Sequence, residues 1–321
     1  MPVSLSSPTP RASLGDVSDD AAAGHSAEHV TDRPVHERDG SVYHYTDIKG
    51  LKGILDSGQI WGTHVAYLND SQEFSYGVEA ICAMIARYGE HIKASGQAEP
   101  ELRSSAILSV CRNMLRAQEL IEDDFGPFVA CFSMSADDLS QWRGYANGGY
   151  AIQFDSQILR ETVQQATLPT ELPIAEPVPI PELHPVEYLP DRQSEQVTRL
   201  LDDHIDELIH AVGDDTVSGI HPAQQRLVRR IIPLAASMKH KKFLGEAEQR
   251  LISHTSETFY STSRIGLIPR VRFEFDRSAI KGVLVGPSEH CDAKTLSLYR
   301  YLRRRYPKAD VVRSSVPYRD I

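Results

Sequence analysis

Residues 42–61, VYHYTDIKGLKGILDSGQIW, leave folding the fewest choices of any stretch in this chain. The run at 42–45 is β-branched and aromatic, and its alternation sets Val42 and His44 on one face of a strand and Tyr43 and Tyr45 on the other. A helix follows at once. Thr46 or Asp47 supplies its cap, Ile48, Leu51, Ile54 and Leu55 recur on one side, and Gly58 stands where a left-handed C-terminal residue is favoured. His44 is thereby placed at a strand end beside a helix N-terminus, a rigid position from which a side chain can meet a ligand.

Strand and helix patterns continue to alternate downstream. Asn69 and Asp70 turn the chain into a helix with Phe74, Val78, Ile81, Met84 and Ile85 on its apolar side, and a second helix is read over 107–120. PFVACFSMS and GYAIQFD read as strands flanking a short helix that starts near Asp137 or Asp138. Residues 167–190 are proline-rich and predict irregular or edge structure, ending in a strand at about 186–188. Helices are expected at about 192–212 and 222–241, a strand from Arg250, short strands in RVRFEF, GVLVGP and DVVRS, and a helix at about 292–305. This is an α+β pattern in one domain over 39–321. Residues 1–38 have no apolar periodicity and are expected to be a disordered tail, since they cannot bury enough surface to offset ordering entropy.

Composition removes several function classes. A chain of 321 residues with 41% hydrophobic residues can bury a sizeable core, and its formal charge of −10 gives no broad attraction to phosphate backbones or anionic membranes, though a local basic patch remains open. Cys82, Cys111, Cys131 and Cys291 are scattered without zinc spacing and read as reduced thiols. No apolar run reaches the roughly 18 residues a membrane span needs, and the chain is expected to be cytoplasmic. GxGxxG, GxxxxGK[ST], GxSxG and HExxH are all missing from the sequence, which removes the usual marks of dinucleotide oxidoreduction, P-loop chemistry, serine hydrolysis and zinc proteolysis.

Four groups of residues remain as carriers of chemistry. His44, with Tyr45 and Thr46, can hydrogen-bond a ribose hydroxyl, although a lone histidine is more often only structural. YLNDSQE places Glu73 one helical turn past Asn69, a pattern that also describes a plain helix cap. In CFSMSADDLSQWRGYANGGYAIQFD, Ser133 and Ser135 share a strand face, while Trp142 and Tyr145 are helical neighbours, with Trp142 the better core residue. In KKFLGEAEQRLIS, Glu246 and Glu248 share one side if extended, and Arg250 follows. Paired acids raise each other's pKa or divide orienting and activating roles, unless Arg250 simply neutralises one of them.

The order of YHYTDIKGLKGIL with GQIW, YLNDSQEF, CFSMSADDLSQWRGYANGGYAIQF and KHKKFLGEAEQR resembles the bacterial domain-of-unknown-function family twenty-nine seventy-one over most of residues 41–290. The family's cues fall on Trp61, Asn69, Asp70, Glu73, Cys131, Ser133, Trp142, Tyr145, Glu246, Glu248 and Arg250. More remotely, the arrangement is similar to the ADP-ribosyltransferase superfamily. That resemblance implies a mixed, split β-sheet core flanked by several helices, with NAD as substrate in a cleft. It implies that His44 holds the adenosine-side ribose and that Tyr145 packs on nicotinamide. Glu248 would stabilise the charge that develops as the glycosidic bond breaks, with Glu246 and Ser133 as further catalytic candidates. Tyr45, Asn69 and Arg250 join the NAD-binding set, no metal is implied, and the acceptor is an unnamed protein, nucleic acid or small molecule. Two other classes stay open. One is a nucleic-acid-processing enzyme using a divalent ion on Asp70, Glu73 and Glu248, and the other is a binding module that only senses a ligand.

Overall fold

The protein is described by a computed structural model covering residues 30–31, 40–68, 72–95, 99–120, 127–147, 149–166, 180–212, 222–254 and 258–317. The opening unit forms strand β2 (Ser41–Thr46), helix α1 (Ile48–Ser57) and strand β3 (Gln59–His64). Asp47 is the cap, accepting from the Gly50 N–H at 2.7 Å, and Gly58 closes the helix at φ 70° with its N–H on Ile54 O. Leu51, Ile54 and Leu55 are buried, but Ile48, in the first turn, is exposed. β3, unread in the sequence because glycine interrupts its short pattern, buries Ile60 on one side and leaves Trp61 on the other. Two long helices follow, α2 (Gln72–Ala94) and α3 (Pro100–Leu120), the latter starting earlier than its apolar pattern suggests.

Strand β4 (Pro127–Ser133) is the junction of the sheet. Its whole length pairs antiparallel with β8 (Glu248–His254) on one edge. The opposite edge is shared, since β3 pairs with its beginning (His64 opposite Phe128) and β2 only with its end (Tyr43 opposite Ser133). The sheet therefore splits along residues 130–132 of that edge, and the His44 ring bridges the gap through Nδ1 to Cys131 O at 2.9 Å. From β2 one arm runs through β5 (Tyr150–Asp155), β11 (Ile280–Val285), β12 (Asp310–Arg313) and β1 (Val30–Thr31). From β3 the other runs to β10 (Gly266–Glu274), which also pairs with β6 (Gln164–Gln165) and β9 (Phe259–Ser263). β7 (Glu182–Pro185) adds to β8. Among the described residues the 12 strands form one mixed sheet, with β12 parallel to β11 and β1. β1 lies inside the stretch read as tail; residues 1–29 and 32–39 lie outside the described residues.

Helices cover both faces, and β4 shows why its sequence is apolar at nearly every position. Phe128, Ala130 and Phe132 enter a core with α1, α5 (Ser156–Thr162) and α9 (Cys291–Arg305). Val129 enters a second core with α2, α3, α6 (Pro190–Asp202), α7 (Ile205–Val212) and α8 (Pro222–Ala236). A strand buried on both sides loses the polar alternation of a surface strand. α6 and α7 replace the single helix read over 192–212, and α8 ends before 237. The strand expected at 186–188 is seated earlier, as β7, and beyond it the Val186 and Glu187 N–H groups bond Glu248 O and Ser237 O. β8 in turn begins at Glu248, two residues ahead of Arg250.

One glycine fixes how the second helical layer meets the sheet. A Cβ at Gly77 would sit 2.1 Å from the Ala235 carbonyl oxygen, so the close approach of α2 to α8 requires its absence. Gly77→Ala is expected to cost about 1–3 kcal/mol, because backbone must move. Urea unfolding measures this, and a change below about 0.5 kcal/mol would show that the contact yields freely. A third, smaller core lies under the other face of β2, where Tyr43 and Tyr45 meet Trp142. The Trp142 ring is fully buried, stands edge-on to Tyr45 at 4.8 Å and donates Nε1–H to Asp137 at 2.7 Å. Trp142→Ala is expected to destabilise by about 3–5 kcal/mol, read as a lower urea midpoint.

Candidate functional site

A cavity of about 70 Å³ opens where the sheet splits. β2 contributes Tyr43, His44 and Tyr45, and β4 contributes Cys131, Phe132 and Ser133. The segment after β4 contributes Gln141 and Tyr145, and the approach to β8 contributes Glu246 and Glu248. That segment starts as a helical turn, α4 (Leu139–Gln141), capped by Asp138, and widens into a π-helical turn over Trp142–Ala146. The wider turn sends Trp142 inward and leaves Tyr145 43% exposed at the cavity rim. A π-turn often marks such a division of roles.

The two glutamates reach the cavity by an unforeseen route. Glu246 closes a 3₁₀ turn, Lys241–Glu246, and Glu248 begins β8, with Ala247 between them at φ 44° and ψ 53°. Strand alternation therefore does not align them; a left-handed alanine does, at a cost of about 1–2 kcal/mol. The Ala247 carbonyl is held by the Met134 N–H at 2.8 Å, which keeps the turn against the end of β4.

Behind the cavity lies a buried charge network. Lys239, only 2% exposed, bonds Glu73 at 2.7 Å, Glu248 at 3.2 Å and Glu246 at shorter range. Arg250, also 2% exposed, engages both Glu248 oxygens at 2.9 Å, Glu73 at 2.5 Å and Ala236 O at 2.8 Å. Three carboxylates face two cations, so full ionisation leaves one negative charge uncompensated. Burial opposes ionisation of Glu248, but Arg250 and Lys239 outweigh it and hold its carboxyl below the ordinary value. Burial pushes Glu246 up; Lys239 opposes this and the neighbouring Glu248 and Glu73 reinforce it. Glu246 is the more open of the two, with 20% of its side chain exposed against 8%, so it is the carboxylate able to exchange a proton with a ligand.

The remaining groups are set by similar local causes. Burial lowers the His44 pKa, so the ring is neutral at pH 7. With Nδ1 donating to Cys131 O, Nε2 is left as a hydrogen-bond acceptor. The Cys131 thiol is pushed up by burial and by Glu248, which keeps it from acting as a thiolate nucleophile. Burial, reinforced by Glu246, likewise keeps the Tyr145 phenol protonated. The Tyr188 phenol, pushed up to about 12 by burial, accepts the Glu248 N–H at 2.9 Å.

Of the residues singled out from sequence, His44, Ser133, Tyr145, Glu246 and Glu248 meet at this cavity, but not all have a free functional group. The Ser133 hydroxyl donates to Glu246 O at 2.9 Å and accepts the Ser135 N–H at 3.0 Å, a structural pairing rather than a nucleophile's. Tyr45 lines the wall with its ring, while its hydroxyl donates to Ser135 O and accepts the Asp138 N–H. Arg250 lies behind Glu248 and does not line the cavity, so its geometry holds glutamates rather than a ligand. Asn69 and Asp70 lie outside the described residues. Glu73 is more than a cap: its carboxylate joins Lys239 to Arg250 from the first turn of α2. Lys239 was missed as a site residue. It follows α8, anchored by its N–H on Glu187 O and by Gln193 on its carbonyl, and no periodicity links it to acids seven and nine residues on.

The carboxylates weighed as metal ligands, Glu73 and Glu248, are committed to Lys239 and Arg250. No group of three His, Cys, Asp or Glu among the described residues is placed to hold a metal ion. All four cysteines are free and partly buried. No helix among the described residues is long and apolar enough to cross a membrane.

A family model described as "Protein of unknown function (DUF2971)" matches residues 141–251. The chain is similar to that family over this stretch. The match bears out the family resemblance and takes in Trp142, Tyr145, Lys239, Glu246, Glu248 and Arg250, while His44, Trp61, Glu73 and Cys131 precede it. No curated protein and no solved structure matches the chain.

The network makes stability depend on pH in a stated direction. A carboxyl held below its unfolded value stabilises the fold above that value and loses its contribution as pH falls through the folded one. For Glu248 the loss is therefore expected below the ordinary glutamate value of about 4.3. Melting curves from pH 7 to pH 3 should show a descent that is shallower in Glu248→Gln; an identical descent would remove Glu248 as its source.

Proposed function

We propose that the cavity is the reaction centre of an ADP-ribosyltransferase-like enzyme, which breaks the nicotinamide–ribose bond of NAD and passes ADP-ribose to an acceptor. The observation that carries this reading is the placement of two carboxylates, Glu246 and Glu248, at the wall of a cavity that a neutral histidine, His44, also lines. Cleavage of an N-glycosidic bond develops positive charge on the ribose, and a fixed carboxylate in a partly dry site stabilises that charge more than it stabilises the substrate. Glu248, held ionised, fills this role. Glu246, with its raised pKa and greater exposure, takes the proton of the incoming acceptor. His44 accepts a ribose hydroxyl at Nε2, and Tyr145 offers a ring at the rim.

Size narrows the proposal further. At about 70 Å³ the cavity falls short of the roughly 300–1,000 Å³ of a full ligand site, so it takes one ring-sized part of the dinucleotide. The rest of the molecule lies along the open rim. The deciding measurement is nicotinamide release from NAD by the full chain, with protein, nucleic acid and small-molecule acceptors in turn. Release above the uncatalysed rate, together with a rise in melting temperature on adding NAD, supports the proposal. No release and no thermal shift at millimolar NAD would end it.

A further inference from the structure

A second surface, outside the cavity, is built on the outward faces of β3, β9 and β10. Strand register sets Trp61 opposite Arg272, Thr63 opposite Arg270, and Arg270 opposite Phe259, so these side chains share one face. The Trp61 and Phe259 rings meet edge-on at 5.1 Å. Arg272 lies over Phe259 at 3.9 Å, and Arg270 beside Trp61 at 5.9 Å. Trp61 remains 48% exposed.

The arginines are the unusual part. The chain has 44 acidic residues against 34 basic ones, yet neither Arg270 nor Arg272 has an ion-pair partner among the described residues. Arg270 instead donates to two hydroxyls, Ser261 at 2.6 Å and Thr63, and burial works against its charge. An apolar protein partner would desolvate both guanidinium groups without supplying a carboxylate, which is costly. A phosphodiester chain supplies one anion for each, and an unstacked base supplies a flat face for Trp61.

We propose that this face binds single-stranded nucleic acid, with a base stacked on Trp61 and backbone phosphates on Arg270 and Arg272. A duplex fits less well, because its bases are already stacked. The proposal is independent of the chemistry at the cavity.

The test uses the full chain and fluorescein-labelled oligo(dT) and oligo(U) of about 12 nucleotides, within the usual site size of one such surface. Anisotropy is followed at several salt concentrations, and the two probes separate DNA from RNA. Intrinsic fluorescence gives a second readout: of the two tryptophans Trp142 is fully buried, so quenching on binding reports Trp61. Trp61→Ala is expected to weaken binding on the order of tenfold or more. Arg272→Gln should lower the salt slope by about one, and Arg272→Lys should restore it. Melting temperatures of the variants show that they are folded. Failure of both probes to bind at low salt overturns the proposal, as does binding unchanged in folded Trp61→Ala and Arg272→Gln.

Discussion

Lys239→Met is expected to cost about 3–5 kcal/mol of stability, as much as truncating the buried Trp142, because it strands buried carboxylates without their cation. Lys239 is 2% exposed and touches Glu73, Glu246 and Glu248, so its loss leaves three acids facing Arg250 alone. The sign with pH separates this cause from a simple packing defect. In the variant Glu246, already pushed up by burial, loses the lysine that opposes that rise, so the stability it affects is present below the unfolded value and lost as pH rises through the folded one. The deficit should therefore shrink as urea unfolding is repeated from pH 7 towards pH 4.5. A deficit constant across that range would mean that lost packing of the lysine stem, not charge, is responsible.

The second large effect concerns rate. Glu248→Gln keeps the shape of the side chain and is expected to lower nicotinamide release by on the order of 10²–10³, with NAD affinity little changed, since the carboxylate acts chiefly where charge develops. Glu246→Gln should behave differently. It removes a proton acceptor but not the charge held by Arg250, so transfer to an acceptor should fall while hydrolysis of NAD persists. Measuring both products for both variants divides the roles. If Glu248→Gln is as active as wild type, the charge at the cavity wall has no part in catalysis and the reading is lost.

The strands and helices that build the cavity are mostly written locally. Alternation at 42–45, the cap at Asp47 and the left-handed Gly58 define β2 and α1 without help from the rest of the chain. Phe74, Val78, Ile81, Met84 and Ile85 likewise mark the buried side of α2. Where reading failed, tertiary contacts had overridden the local pattern. β3 and β9 carry polar or exposed residues, and pairing to β10 makes them strands.

The sequence by itself determined the α+β character, the family resemblance, and the residue types able to do acid–base chemistry, because these depend on periodicity and on neighbours within a few positions. The split edge of β4, the left-handed Ala247 and the convergence of Glu73, Lys239, Glu246, Glu248 and Arg250 were decided only by the tertiary structure. Glu73 and Arg250 are 177 positions apart and meet because α2 packs against α8 through Gly77 and Ala235. Local pattern can mark an acid as available, but its charge state and role depend on which distant cation folding brings within hydrogen-bonding distance of it.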